Sequence, residues 1–136
     1  MVKPSELRTL TMILQEAAEA KTIKKEDMQR LTKAFGQRFT KAWEAVEGNR
    51  VKKYVFKPSK RVVWIVVGKN RDYLIIPAAD FCTCNDFYFR VLDRHIHLCY
   101  HLIAQKLAET LKIYDLYKEE DELCEALMKE WKKAIP

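Results

Sequence analysis

Three of the four cysteines and all three histidines of this chain lie between residues 82 and 101. Thiolate and imidazole together suit a borderline-soft cation such as zinc, which wants four tetrahedral ligands at about 2.0–2.3 Å. The pattern is Cys82-Thr83-Cys84, then 14 residues, then Cys99-Tyr100-His101. Two cysteines one residue apart can face one ion from a tight turn. The second pair is more demanding, because residues two apart inside a regular helix point in nearly opposite directions. Cys99 and His101 can share an ion only where a helix begins, with Cys99 as its cap and His101 in its first turn. The apolar period that starts at Leu102 and Ile103 fits that placement, and a helix N-terminus favours a thiolate. A second set, Cys82, Cys84, His97 and His101, stays open if the helix starts earlier, since His97 and His101 are four apart. The plainer alternative is a group of buried thiols and surface histidines. Three thiolates and one imidazole would close the shell and leave no position for water, so the site reads as structural. A zinc on Cys99 also removes the free thiolate that a nucleophilic enzyme would need, and no enzyme is expected. Cys124, near Leu127 and Met128, reads as a small core residue.

The elements that must position these ligands follow from apolar spacing. Residues 5–20 carry Ser5 as an N-cap and Leu7, Leu10, Ile13, Leu14, Ala17 and Ala18 at helical intervals. Two more helical stretches, about 24–35 and 37–47, are divided by Gly36 and end at Gly48-Asn49. The period then changes. Val51–Lys57, Val62–Val67 and Tyr73–Ile76 read as strands joined by short turns, which permit only antiparallel neighbours. The expectation is a three-stranded meander with Val62–Val67 central and covered on both faces. Beyond the ligands, Ile103, Leu107, Leu111 and Tyr114 mark one long helix. The acidic run Glu119–Glu122 opens a last helix with Leu123, Leu127 and Trp131 on one side. The fold class is therefore α+β in a single domain over 1–136: a helical part (1–48), a β meander (49–79), a zinc knuckle (80–104) and C-terminal helices (98–134).

The 136 residues carry 25 basic and 19 acidic side chains, but unevenly. Residues 21–71 hold 15 basic and four acidic groups, and residues 72–136 hold eight and 12. A basic middle suggests a face for polyanions; the competing reading is a solvated Lys/Glu-rich surface. Arg50, Lys52, Lys53, Lys57, Lys60 and Arg61, interleaved with Tyr54 and Phe56, form a candidate phosphate track for nucleic acid, single-stranded or branched, without a base-reading motif. The longest apolar run, Val62–Val67, is far short of the roughly 20 residues that cross a bilayer. The N-terminus does not lead into an apolar signal segment. An intracellular protein is expected, nuclear if the host is eukaryotic, with no membrane partner.

The full stretch Cys82-Thr83-Cys84-Asn85-Asp86-Phe87-Tyr88-Phe89-Arg90-Val91-Leu92, followed by Cys99-Tyr100-His101-Leu102-Ile103-Ala104, resembles the SWIM zinc finger. The likeness is to the SWIM proteins of Shu recombination complexes and their archaeal relatives. It is strongest over about 80–111 and extends more weakly through Phe35-Gly36 and the meander. It implies zinc ligands at Cys82, Cys84, Cys99 and His101, and the family's motif alanine at Ala104. It also implies a non-enzyme that pairs with a RecA-family recombinase paralogue, helps bind DNA and promotes recombination and repair. Asn85 stands where relatives can have proline, and Tyr100 where lysine is frequent, which weakens any DNA contact expected from that position. Ala104, Tyr88 and Trp131 are the candidate partner residues. Phe87 and Phe89 read as core or as cover for the zinc. The alternative function is a self-sufficient nucleic-acid-binding zinc module, and the terminal helices leave a homodimer open.

Overall fold

Apolar residues at helical intervals form α1 (Pro4–Ala20), α2 (Lys25–Phe35) and α3 (Gln37–Glu47), in a computed structural model that describes residues 4–69, 71–79, 81–84 and 98–132. Gly36 has φ +61° and donates its N–H to Thr32 O at 2.7 Å, so one residue closes α2 and opens α3. A side chain there would be strained.

The sheet contains β1 (Val51–Lys57), β2 (Val62–Val67), β3 (Asp72–Ile76), a two-residue β4 (Phe81–Cys82) and β5 (Asp115–Glu120), in the order β4-β3-β2-β1-β5. The expected meander is its antiparallel centre, but the sheet is five-stranded and mixed. β5 lies parallel to β1, from Lys52 opposite Asp115 to Lys57 opposite Glu120. The long helix expected through Tyr114 therefore stops early. α4 (Tyr100–Leu111) ends in a left-handed Lys112, whose N–H bonds Ala108 O. α5 (Asp121–Lys132) follows directly on β5. The C-terminal region is thus helix, edge strand, helix rather than two successive helices.

β2 is central, and Val63–Val66 are buried on both faces as expected. On one face Trp64, Val66, Ile75, Cys82 and Val51 pack beneath α3 and α4, in a core that also takes Leu10, Leu31, Phe39 and Leu107. On the other, Phe56, Val63, Ile65 and Leu74 pack against Cys124 and Trp131 of α5. Each large side chain so buried contributes about 1.5–3 kcal/mol. Among the described residues no helix is long and apolar enough to cross a membrane.

Candidate metal centre

The cross-strand row Lys53–Trp64–Ile75–Cys82 runs along the α4 side of the sheet, because each residue stands opposite the next in the β1–β2, β2–β3 and β3–β4 ladders. Cys82 therefore points at α4 as a consequence of strand register. Cys84 follows in the turn after β4. Cys99 is the N-cap of α4, with extended backbone, and His101 lies in the first turn. This is the backbone change at a helix start that a shared ion demands of residues two apart.

The three sulfurs and a His101 ring nitrogen all lie within 4.8 Å of one another, and all four residues are buried. Tetrahedral zinc–thiolate bonds of about 2.3 Å require sulfur–sulfur edges of about 3.8 Å, so the donors need only a small closure around an ion. The four cysteines form no disulfide. Both ring nitrogens of His101 are buried without a hydrogen-bond partner, which costs about 1–3 kcal/mol for a polar atom left so and is relieved when a nitrogen coordinates. The cluster fits one structural zinc.

The thiols differ sharply. Hydrogen bonds with Cys82 and Cys99 hold the Cys84 thiol far below its ordinary value. The same bond to Cys84 pushes Cys82 far up, and burial pushes Cys99 up. Because zinc takes cysteine as thiolate, loading a cation onto the three sulfurs releases the protons they carry.

Residues outside the ligand pattern hold the centre in place. Thr83, between the two cysteines, donates its backbone N–H to Leu74 O at 3.1 Å, and its hydroxyl oxygen accepts the Leu74 N–H at 3.0 Å. The sulfur turn is thereby tied to β3. Arg71 adds a bond to Thr83 O at 3.3 Å. From α3, Arg38 donates to Leu98 O at 3.0 Å and to Glu6 of α1 at 3.1 Å, fixing the chain just before Cys99. The His101 ring is flanked by Tyr73 and Tyr100, at centroid distances of 3.9 and 3.7 Å. None of these supports is legible as a ligand. Only the hydroxyl inside the Cys-Thr-Cys turn carried a local signal, as a side chain able to accept a backbone N–H.

The other expected site residues are dispersed. Ala104 is fully buried in α4, where a small side chain lets helix and sheet approach. Trp131 is 6% exposed, and its ring meets Tyr54 edge-on at 5.1 Å. Both are packed against their own chain: α5 turns Cys124 and Trp131 to the sheet, while Leu123, expected on the same side, is exposed. Tyr88, Phe87, Phe89, His95 and His97 lie outside the described residues. The basic ribbon is not one track, because alternate residues of β1 face opposite sides and β5 brings acids alongside. Lys52 is ion-paired with Asp115. Lys53 lies over Trp64 and Tyr114 on the α4 face. Lys57 stands opposite Glu120. Ser59 bonds Asp121 and also accepts from Arg61. Lys60 is exposed, and Arg50 turns towards the β2–β3 connection through Val67 O.

Comparison with known proteins gives two relatives. Over 107 residues the chain is 32% identical to a "Zinc finger SWIM domain-containing protein 7 homolog" of Dictyostelium discoideum, covering 77% of this chain and 69% of that protein. Over 82 residues it is 33% identical to an uncharacterized protein of Archaeoglobus fulgidus, covering 60% and 63% of the two chains. No family model matches, and no solved structure matches significantly.

Proposed function

The chain belongs to the SWIM zinc finger family, and on that premise we propose that it is a non-catalytic accessory protein of homologous recombination and DNA repair. In this reading it docks on a RecA-family recombinase paralogue and assists DNA binding inside the cell. The supporting observation is the buried set Cys82, Cys84, Cys99 and His101. Three thiolates and an imidazole complete a zinc shell and leave no open position for a substrate or water, so the ion's role is to brace. Zinc supplies charge and fixed geometry. The chain's own residues use that geometry to hold the sulfur turn, through Thr83, and the start of α4, through Arg38, in one register. The surface over α4 and its neighbours is then presented to the partner in a single shape.

The test is co-expression with the RecA-family paralogue of the same cell, followed by affinity capture. Cys99→Ser and His101→Ala are each expected to lose zinc and the paralogue together. Survival of the complex without zinc overturns the docking role.

A further inference from the structure

Where the chain meets a polyanion is a separate question from the zinc, and the ribbon that the sequence singles out is divided between two faces, with Lys52 paired to Asp115 of β5 and Lys57 opposite Glu120. A second basic site is assembled from three distant segments. It is a cleft of about 360 Å³ beside the metal centre, walled by Lys41 of α3, Arg50 at the entry to β1 and Lys69 in the β2–β3 turn. That volume lies at the small end of the roughly 300–1,000 Å³ of ligand sites. Glu44 is the single carboxylate in its lining, so the cleft carries a net charge of +2.

Among the described residues none of the three cations is ion-paired. Lys41 sits over the Tyr100 ring at 5.9 Å, and Arg50 reaches only a backbone carbonyl. Tyr73 and Tyr100 complete the lining. Their rings flank His101, so the wall of the cleft is also the cover of the zinc ligand. Gly68 makes this closeness feasible: a Cβ there would stand 2.6 Å from Tyr73 Cε2 and 2.9 Å from Arg71 O. Unpaired cations beside two phenols in a small concave site match a phosphodiester, since cations and hydroxyl donors bind phosphate without reading sequence.

We propose that the cleft between Lys41, Arg50, Lys69, Tyr73 and Tyr100 is a phosphate-binding subsite for a nucleic-acid backbone. It rests on the DNA-binding half of the function proposed above and shifts the contact from the ribbon, of which it keeps only Arg50, to the zinc-side cleft. The probe is a fluorescein-labelled oligothymidylate, followed by anisotropy with the zinc-loaded full chain at low salt. Lys41→Glu/Lys69→Glu is expected to weaken binding by about tenfold or more and to flatten the salt dependence by one to two phosphate contacts. Lys57→Glu/Lys60→Glu removes the same charge from the ribbon and is expected to weaken binding by about threefold or less, through net charge alone. All four lysines are exposed, and one zinc per chain in each variant shows that folding is intact. If the ribbon variant loses binding and the cleft variant keeps it, the subsite is wrong while DNA binding stands. If the unaltered protein does not bind the oligonucleotide at low salt, both fail. Displacement of the oligonucleotide by inorganic phosphate at matched ionic strength overturns the assignment in favour of a small-anion site.

Discussion

The two faces of the sheet are stabilised by different means. Beneath α3 and α4, a broad apolar core surrounds four metal ligands, and the ligand segment has little apolar periodicity of its own. Its described ends are tied down by bonds such as Thr83 to Leu74 and Arg38 to Leu98, and an ion on the four ligands would brace them further. Beneath α5 the core is small and aromatic: Tyr54 stacks on Tyr117 at 5.0 Å and meets Trp131 at 5.1 Å, and Phe56 is fully buried. Shape and dispersion hold that face without a metal. Both faces share β2 and β3, so one sheet transmits two independent sources of stability.

The largest separation of the two faces comes from removing zinc. Chelation or Cys99→Ser is expected to cost on the order of 10 kcal/mol at neutral pH, comparable with the whole 5–15 kcal/mol of a typical domain. Equilibrium unfolding with and without chelator measures it, and an unchanged midpoint would refute the bracing role. Trp131→Ala acts on the opposite face and should cost about 3–5 kcal/mol, while zinc stays at one per chain below the shifted midpoint. Early zinc loss in that variant would mean the faces are not separable. Thr83→Val leaves the Leu74 N–H without its hydroxyl acceptor and should cost about 1–3 kcal/mol, with faster zinc release to a chelator. Thr83→Ser restores both, and equal losses in the two variants would place the effect elsewhere.

The smallest effect belongs to the exposed edge, where Asp115 joins β5 to β1. Its carboxyl is held below the ordinary value by hydrogen bonds from Lys52 and then Asn49. A depressed folded value means the contribution is complete above the unfolded carboxylate range and is lost as pH falls through the folded value. Asp115→Asn should therefore lower the thermal midpoint slightly at pH 7 and low salt, and not at strongly acidic pH. An equal drop at both pH values would show that the charge is not the source.

Legibility follows the range of the constraint. The start of α4 at Cys99 was readable because two ligands two residues apart admit few backbone conformations, and α1–α3 were readable from their 3.6-residue period. β5 was not. Asp115-Leu116-Tyr117-Lys118-Glu119-Glu120 contains residues that disfavour strands, and Tyr114 continued the period of α4. The segment extends because β1 offers an open edge with Lys52 opposite Asp115, Lys57 opposite Glu120 and Tyr54 under Tyr117. The same pairing places acids of the C-terminal segment beside part of the basic ribbon: Asp115 pairs with Lys52, and Glu120 stands opposite Lys57. Arg38 was unreadable as a support for Cys99, since its acceptor, Leu98 O, lies 60 residues away.

The amino-acid order alone narrowed the donor atoms for zinc to two sets, and it specified the backbone turn that would align Cys99 with His101 and the central strand. Each depends on chemistry or periodicity within a few residues. Tertiary structure alone decided which cations stay unpaired, which aromatic rings cover His101, and that an acidic segment becomes an edge strand. Those outcomes depend on which surfaces meet across tens of residues, where burial and charge pairing outweigh local preference.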